Sequence, residues 1–478
     1  MRLYFMGICG TAMGHAALLA RELGHDVCGA DTGVYPPMST VLHEAGIQIF
    51  EGCDHERLGA LRPDLVIVGN VTTRGHEEME WLLDTRAVRY VSLPEFLGEI
   101  ILRWRRNLVI TGTHGKTTTA TLAAFLLRSV DAGTGWLIGG VPRDLPGGAA
   151  AGRPDAPFVI EGDEYDSAFF DKRSKFIHYF PWLVTLNNLE FDHADIFRDL
   201  ADVQRTFAHL LKIVPRNGFA LVNGDDPNIA ALPPAPWTTL VRVGVGESCD
   251  LRIEGFSENE NGARFDLIWR GQPWATVNWG LSGLFNARNA AMAALAAGLV
   301  LDPQNPSSLP LAALESFQGV RRRQETVRQD AKIMVVEDFG HHPTAIRETL
   351  AALRQRHPDR RLLACFEPRS NTARTRVFQA GLPAALAAAD HVLIGPIYRG
   401  EKTPEPERLD LAAVCAALNA EVAHLSGVVA KARHFDTNQE LLAAALEIAR
   451  DPENQPGLAV FFTNGSFDGI IAEFAEKA

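Results

Sequence analysis

Residues 112–119 read Gly-Thr-His-Gly-Lys-Thr-Thr-Thr, between an apolar run at 108–110 that is typical of a buried strand and a helical run at 120–130. A glycine-rich turn in this position lets successive backbone N–H groups face a polyphosphate, with the positive end of the helix behind them. Lys116 would reach the terminal phosphates, and the Thr117 hydroxyl would bind Mg²⁺. The usual P-loop has four residues between its glycines, whereas Gly112 and Gly115 are separated by two. The stretch therefore predicts binding of ATP or GTP, and the alternative is an ordinary strand-to-helix turn.

Length and composition limit the class of protein. A chain of 478 residues predicts roughly three domains. The net charge of −12 argues against general binding of nucleic acid. No apolar stretch is expected to reach the ~18–20 residues of a membrane span, and the start of the chain lacks the pattern of a signal peptide. Six cysteines without close pairs predict neither a disulfide framework nor a cysteine zinc site. We therefore expect a reduced, cytoplasmic protein without nucleic-acid or membrane partners.

The chain divides into three predicted domains, residues 1–106, 107–326 and 327–478. Predicted strands alternate with predicted helices in each, which favours α/β domains built on parallel sheets. The predicted strands are residues 1–6, 26–30, 65–68 (as the third strand), 108–110, 158–161, 183–186, 333–336, 362–366 and 458–463. The predicted helices are residues 15–23, 120–130, 286–299, 343–355 and the alanine-rich region 380–423. Residues 147–154 are expected to be disordered.

The first domain begins with a second glycine-rich turn. Gly7, Gly10 and Gly14 have the spacing G-x-x-G-x-x-x-G, which differs from the dinucleotide fingerprint G-x-G-x-x-G. With Thr11 and with Asp31 at the end of the second strand, this turn predicts a phosphate or diphosphate at a helix N-terminus. A tight turn without a ligand is the equally open alternative.

Acidic residues follow two predicted strands of the central domain. Glu161, Asp163 and Glu164 follow the first, and Asp192 and His193 follow the second. Carboxylates at the carboxyl ends of strands, in a sheet that also carries a phosphate loop, are well placed to bind Mg²⁺. The alternative for the acidic run is a solvated turn. His193, beside carboxylates in an ATP-binding domain, is a candidate metal ligand.

Three further positions are candidates for contacts with the nucleotide. Asn286 and Asn289 share one helix face, and their amides suit a purine edge or a phosphate oxygen, although Asn286 is also a candidate helix cap. Arg323 closes an arginine triplet between the second and third domains, where a guanidinium could clamp phosphates or belong to a solvated linker. Asp338 lies in a turn that would contact ribose or substrate, or cap the next helix.

In their order, these motifs resemble the Mur ligase family of ATP-dependent amide ligases, over essentially the whole chain. The most specific stretches are residues 112–119, 161–166, 187–193, 283–289, 321–323 and 338–343. The phosphate loop and the Asp-x-Gly-His-His-Pro motif look like the branch that loads the first amino acid onto UDP-N-acetylmuramate. Residues 34–40, 161–176, 186–197 and 366–372 are more similar to a sister branch that ligates the tripeptide L-Ala-γ-D-Glu-meso-diaminopimelate in peptidoglycan recycling.

The resemblance implies a three-domain α/β architecture. A Rossmann-like N-terminal domain would hold UDP-N-acetylmuramate, a central P-loop ATPase-like domain would hold Mg-ATP, and a Rossmann-like C-terminal domain would present the peptide. The implied catalytic residues are Lys116, Glu161, His193 and Arg323, and the implied metal ligands are Thr117, Glu161 and His193. The implied nucleotide contacts are Gly112, Thr113, His114, Gly115, Lys116, Thr117, Thr118, Asn286, Asn289, Arg323 and Asp338. The implied substrate contacts are Gly7, Gly10, Thr11, Asp31, Arg369, Ser370 and Asn371.

The chain departs from the family in one respect, and three alternative functions stay open. Several family members carry a carbamate-modified lysine about fifteen residues after the metal-binding histidine, but residues 203–208 contain no lysine and the next one is Lys212. The nearest alternative function is ligation of free L-alanine. The others are an NAD-dependent oxidoreductase, based on the N-terminal glycines, and a nucleotide switch without catalysis.

Overall fold

The computed structural model describes residues 1–422 and 431–478, whose strands form three large sheets flanked by helices. The predicted α/β class and three-domain architecture are confirmed. The sheets lie within residues 2–92, 107–279 and 325–462. The predicted boundaries at 106/107 and 326/327 stay predictions, and the strand Glu325–Gln329 crosses the second of them.

The N-terminal sheet has five parallel strands in the order β3-β2-β1-β4-β5. Its strands are β1 (Arg2–Met6), β2 (Asp26–Asp31), β3 (Gln48–Glu51), β4 (Leu65–Val68) and β5 (Tyr90–Ser92). Its helices are α1 (Thr11–Glu22), α2 (Met38–Glu44), α3 (His55–Leu61), α4 (Glu77–Thr85) and α5 (Leu93–Phe96). β1 lies between β2 and β4, and the connection from β3 crosses back over the sheet to β4, so the loop after β1 lies at the switch point where α/β sheets bind ligands.

The central sheet has ten strands in the order β17-β16-β15-β14-β13-β12-β6-β9-β7-β8. Its strands are β6 (Asn107–Thr111), β7 (Gly135–Leu137), β8 (Ala149–Ala150), β9 (Phe158–Glu161), β12 (Pro181–Leu186), β13 (Phe219–Asn223), β14 (Thr239–Gly244), β15 (Leu251–Asn259), β16 (Gly262–Trp269) and β17 (Gln272–Trp279). A separate hairpin is formed by β10 (Asp166–Ala168) and β11 (Asp171–Ser174). The helices are α6 (Lys116–Ser129), α7 (Leu200–Lys212), α8 (Pro227–Ala230) and α9 (Leu284–Leu301).

The centre of this sheet places the carboxyl ends of three strands side by side. β6 lies between β12 and β9 and runs parallel to both, so the segments that follow these strands meet at one edge. β6 is buried at all five positions, and α6 and α9 belong to the same apolar core. The phosphate loop is therefore fixed between a buried strand and a buried helix.

The C-terminal sheet has the order β18-β19-β23-β20-β21-β22, with only β18 antiparallel to its neighbour. Its strands are β18 (Glu325–Gln329), β19 (Ile333–Asp338), β20 (Arg361–Phe366), β21 (His391–Ile394), β22 (Ala432–His434) and β23 (Gly457–Phe462). Its helices are α10 (Pro343–Arg356), α11 (Gly381–Leu386), α12 (Leu411–Val422), α13 (Asn438–Arg450) and α14 (Ile470–Lys477).

Three expectations about local structure were wrong. The strand at 65–68 is the fourth of its sheet because the half-exposed β3 precedes it. Residues 147–154 contain β8, which pairs with β7 and so gains backbone hydrogen bonds. The region 380–423 is interrupted by the buried strand β21, and its last residue lies outside the described ones.

The helix α9 is long and apolar enough to cross a membrane by length and composition, and no other described helix is. The expectation that no stretch reaches this length was therefore wrong. However, 78% of the 18-residue window is buried inside the protein, where α9 packs in the apolar core of the central domain.

Candidate active site

The phosphate loop joins β6 to α6, and its conformation requires its two glycines. Gly112 has φ +132° and Gly115 has φ +78°, both in the region that side chains disfavour. A Cβ atom on Gly115 would lie 2.5 Å from Oδ1 of Asn289. The loop ends in a helix whose N-cap is Gly115, with no side-chain hydrogen bond to its first amides. The start of α6 is thus open to an anion.

Asn188, to which sequence reasoning assigned no role, holds the loop from the neighbouring strand. Its Oδ1 accepts a hydrogen bond from the backbone N–H of His114 at 2.7 Å, and its backbone oxygen accepts one from the N–H of Thr113 at 3.2 Å. The Thr113 hydroxyl accepts a further bond from the N–H of Glu190 at 2.9 Å. The position of Asn188 directly after β12 was the available signal, because that strand pairs with β6.

Lys116 lies folded over its own loop. Its Nζ donates to the backbone oxygen of Gly112 at 2.7 Å and to Oε2 of Glu164 at 3.0 Å. Burial opposes its charge, but the carboxylates of Glu164 and Asp163 raise the pKa of Lys116 overall. The ammonium is therefore charged and close to the amides that would receive phosphates.

The candidate metal ligands form two pairs. The Glu161 carboxylate accepts from the Thr117 hydroxyl at 3.2 Å and from the N–H of Gly139 at 2.8 Å, while burial raises the pKa of Glu161. His193 instead meets Glu164, with 3.0 Å between Nε2 and Oε1. Burial disfavours the imidazolium, but this hydrogen bond raises the pKa of His193. The hydroxyl and carboxylate oxygens suit Mg²⁺, which prefers oxygen ligands.

Asn286 and Asn289 connect α9 to the phosphate-loop helix. Asn289 accepts from the Thr119 hydroxyl at 3.1 Å and donates to Asn286 at 3.3 Å, and both amides are buried. The alternative that Asn286 caps its helix is wrong, because the N-cap is Gly283. Both side chains line the cavity described below, and their contact with the nucleotide stays a prediction.

Arg323 and Asp338 lie where the central and C-terminal domains meet. The Arg323 guanidinium is 3.5 Å from the Thr117 hydroxyl and stacks over the Phe339 ring at 4.4 Å, so it is not a solvated linker residue. Asp338 is buried and accepts the N–H groups of Gln324 and Gly340 at 2.8 and 2.7 Å. Burial raises the pKa of Asp338 despite the nearby Arg323. A contact of Asp338 with ribose stays a prediction.

A cavity of about 710 Å³ contains most of these side chains and is walled by the central and C-terminal domains. The residues with predicted roles that line it are Thr113, His114, Gly115, Lys116, Thr117, Thr118, Glu161, His193, Asn286, Asn289, Arg323, Asp338, Ser370 and Asn371. Gly112 and Arg369 are not among its lining residues. Arg369 instead stacks on the Tyr398 ring at 3.7 Å.

The predicted substrate residues of the N-terminal domain lie elsewhere. Gly7 and Gly10 lie in the loop after β1, Thr11 begins α1, and Asp31 ends the adjacent β2. The Asp31 carboxylate accepts the N–H groups of Cys9 and Gly33, both at 2.9 Å. Asp31 therefore fastens this loop, and its contact with a substrate stays a prediction.

A cluster that sequence reasoning missed joins the phosphate loop to the C-terminal domain. Glu190 accepts from Nε2 of His114 at 2.8 Å and from the Thr344 hydroxyl at 2.9 Å, and Nδ1 of His342 lies 3.2 Å from its carboxylate. Burial and the nearby His114 lower the pKa of His342 to about 4, so this imidazole is neutral. The cluster therefore connects the phosphate loop to the C-terminal domain through Glu190.

Comparison with known proteins gives three matches along the chain. Residues 2–105 match the "Mur ligase family, catalytic domain", residues 110–297 the "Mur ligase middle domain", and residues 322–462 the "Mur ligase, glutamate ligase domain". The chain belongs to the Mur ligase family. It is therefore an ATP-dependent ligase that forms amide bonds.

Two relatives and one solved structure place the chain within the Mur ligases. The UDP-N-acetylmuramate–L-alanyl-γ-D-glutamyl-meso-2,6-diaminoheptandioate ligase of Escherichia coli K12 is 40% identical, covering 98% of this chain and 96% of its own. A UDP-N-acetylmuramate–L-alanine ligase of Desulfosudis oleivorans is 31% identical, over 84% of each chain. The crystal structure of a murein peptide ligase from Psychrobacter arcticus has a TM-score of 0.69 and 35% identity, covering 100% of this chain and 98% of that one.

Proposed function

We propose that this Mur ligase joins the tripeptide L-Ala-γ-D-Glu-meso-diaminopimelate to UDP-N-acetylmuramate, at the expense of ATP, in peptidoglycan recycling in the cytoplasm. One observation carries the proposal. The cavity that holds Lys116 and Thr117 of the phosphate loop also receives Ser370 and Asn371 from the C-terminal domain. A phosphoryl donor and an amine acceptor can therefore meet there. The greater identity to the tripeptide ligase than to the L-alanine ligase supports the choice of acceptor.

The reaction needs two displacements, because hydroxide is a poor leaving group from a carboxylate. In the first, a lactyl carboxylate oxygen of UDP-N-acetylmuramate attacks the γ-phosphorus of ATP, the bond to the bridging oxygen breaks, and ADP leaves. In the second, the amine of the tripeptide attacks the carbonyl carbon of the acyl phosphate. The C–O bond breaks, phosphate leaves, and the amine nitrogen loses a proton.

The chain contributes mainly positioning and charge. Lys116 donates to the Gly112 oxygen of the phosphate loop, and Arg323 lies 3.5 Å from the Thr117 hydroxyl, so both would neutralise charge on the transferred phosphoryl group. Thr117, Glu161 and His193 would hold Mg²⁺, which supplies further neutralisation when bound. We assign the crevice at the loop after β1 to the UDP group, with Gly7, Gly10 and Thr11 facing the diphosphate.

Arg369, Ser370 and Asn371 are our candidates for selecting the peptide. Ser370 and Asn371 line the cavity, while Arg369 contacts Glu367 at 3.4 Å and stacks on the Tyr398 ring. Asn371 also donates to Asp195 of the central domain at 2.8 Å. The segment that would bind the acceptor peptide is thus in contact with the segment that carries His193.

The test is an acceptor comparison with UDP-N-acetylmuramate and Mg-ATP, in which ADP release is measured with the tripeptide or with L-alanine. We expect kcat/KM for the tripeptide to be at least about tenfold higher, a difference of ~1.4 kcal/mol in the transition state. A preference for L-alanine would replace the acceptor in our proposal and leave the family unchanged. Reactions without UDP-N-acetylmuramate control for ATP hydrolysis.

A further inference from the structure

Glu164 connects the phosphate-loop lysine to the candidate metal ligand His193. Its carboxylate is 3% exposed, with Oε2 at 3.0 Å from Nζ of Lys116 and Oε1 at 3.0 Å from Nε2 of His193. No other described carboxylate contacts both of these groups. Glu164 is therefore the one acidic group shared by the predicted phosphate-binding and metal-binding halves of the site.

This contact cannot persist unchanged when a polyphosphate binds. Lys116 already shares its three N–H donors among Gly112, Thr113 and Glu164. Phosphate oxygens would compete with Glu164 for the same ammonium. A buried carboxylate left without its cation is destabilised, and it also repels a nearby phosphate. It therefore needs a new positive partner as soon as the nucleotide takes Lys116.

The second partner of Glu164 lies where a metal is expected. His193 stays beside Glu164 through the contact at Oε1, and its left-handed backbone, with φ +57°, is fixed by a bond from its own N–H to Asp192 at 2.7 Å. Tyr165 is the residue after Glu164, and its ring packs against the His193 ring with 4.2 Å between the ring centres. Glu164 and His193 are thus held together independently of Lys116.

We infer that Glu164 is a positioning residue that exchanges Lys116 for a divalent cation when ATP binds. Glu164 holds Lys116 over the phosphate loop until phosphates bind. When phosphates take Lys116, the freed carboxylate joins His193 at the metal site, beside the other two candidate ligands, Glu161 and Thr117, which contact each other at 3.2 Å. The inference rests on the proposed ATP and metal site but not on the identity of the acceptor.

The competing account is that Glu164 forms a purely structural ion pair. The two accounts predict different effects of Glu164→Gln on binding. If Glu164 competes with phosphate for Lys116, its neutral replacement leaves ATP binding without metal as tight as in the wild type or tighter. If the ion pair between Glu164 and Lys116 only stabilises the folded site, the replacement weakens ATP binding and lowers the unfolding temperature.

Two binding measurements on the full-length protein decide between them, without UDP-N-acetylmuramate or acceptor. The first is binding of a fluorescent ATP analogue in EDTA, and the second is Mn²⁺ binding to the ADP complex, followed by electron paramagnetic resonance. For Glu164→Gln we expect unchanged or tighter binding of the analogue and Mn²⁺ binding weakened by at least about tenfold, as for loss of a group that supports a metal ligand. Glu164→Asp should recover part of the Mn²⁺ affinity.

Asp166→Asn is the matched control, because Asp166 lies on the same segment but pairs with the exposed Lys172 at 2.9 Å. It should leave both measurements within about twofold of the wild type. Mn²⁺ affinity of Glu164→Gln within that range, or weaker binding of the analogue in EDTA, would overturn the inference. If Glu164→Gln does not fold, the same two measurements on Glu164→Asp decide it. Because no acceptor is present, the result is independent of the acceptor comparison.

Discussion

The chain contains two glycine-rich loops with the same local design and different surroundings. Each follows the first strand of its sheet and leads into a helix, and both helices begin after a glycine N-cap without a side-chain cap. In the N-terminal loop, the nearest charge is the Asp31 carboxylate, which accepts the N–H of Cys9. In the central loop, Lys116 lies on the loop and Arg323 approaches from another domain.

The two loops are also fastened differently. The N-terminal loop is held within its own domain, by Asp31 and by the bond from the N–H of Gly7 to the Ala30 oxygen at 2.8 Å. The central loop is connected to the C-terminal domain through Glu190 and Thr344. The comparison teaches that amides at a helix start are enough to bind a phosphate, whereas transfer of a phosphoryl group also needs cations and metal ligands from several segments.

The largest effect should come from removing the lysine that distinguishes the central loop. Lys116→Ala should lower the rate of ADP formation by on the order of 10³-fold, because the transition state loses a cation. Binding of UDP-N-acetylmuramate, measured by calorimetry, should stay within about twofold because the other loop is untouched. Lys172→Ala removes an exposed lysine as the control. Near-normal turnover of Lys116→Ala would contradict the assignment.

A second comparison uses one glycine from each loop. Gly115→Ala places Cβ 2.5 Å from the buried Asn289, whereas Gly7→Ala meets nothing closer than 4.0 Å, although both have positive φ. Backbone strain costs each about 1 kcal/mol, but only Gly115→Ala must displace a side chain that is hydrogen-bonded to Thr119. We expect ATP affinity, measured by calorimetry, to fall at least about tenfold in Gly115→Ala and to be unchanged in Gly7→Ala.

Gly24→Ala is the control for backbone strain alone, because Gly24 has φ +85° and a Cβ atom there would meet nothing within 4 Å. It should lose about as much thermal stability as Gly7→Ala and retain full affinity for ATP and for UDP-N-acetylmuramate. Equal ATP affinity in Gly115→Ala and Gly24→Ala would show that the contact with Asn289 does not hold the loop.

The smallest effect concerns the connection of the central loop to the C-terminal domain. Because the pKa of His342 is lowered to about 4, the unfolded chain binds a proton near pH 6.5 that the folded one does not. Stability therefore falls as the pH drops from about 6.5 towards 4, and this group contributes about 1 kcal/mol of loss between pH 7.5 and 5.5. In His342→Gln that part of the loss should disappear from the pH dependence of thermal unfolding.

His43→Gln is the control for this measurement, because His43 is exposed on α2, far from the loop in sequence and in a different domain. It should keep the pH dependence of the wild type. The same slope in His342→Gln and the wild type would mean that protonation of His342 does not destabilise the folded protein.

The fold and most of the candidate site could be predicted from the sequence because both depend on local patterns. Apolar runs followed by glycine, carboxylate or asparagine residues located β6, β9 and β12, and the loop glycines are required by their own backbone angles. The half-exposed β3 and the two-residue β8 were missed, because short or exposed strands carry little hydrophobic pattern. The strand β21 is buried and apolar, but the alanine-rich sequence around it led to the prediction of a helix over the whole region.

Side-chain contacts between residues on different segments could not be predicted from the sequence. Glu161 and His193 were expected to share a metal, but the carboxylate that contacts His193 belongs to Glu164, three residues further along. Asn188 and His342 became visible as supports of the phosphate loop only when β12 and α10 were placed beside it. Side-chain partners across strands and domains are set by packing, which no local pattern specifies.

The sequence by itself indicated that this chain has a phosphate loop that contains Gly112, Gly115 and Lys116, because this depends on residues adjacent in the chain. The tertiary structure decided which carboxylate meets which cation. It brought Arg323 and Asn371 from other segments to the loop and fastened Asp31 to the other loop. The physical reason is that charges act across space at distances of a few ångströms, whereas a sequence records only their order.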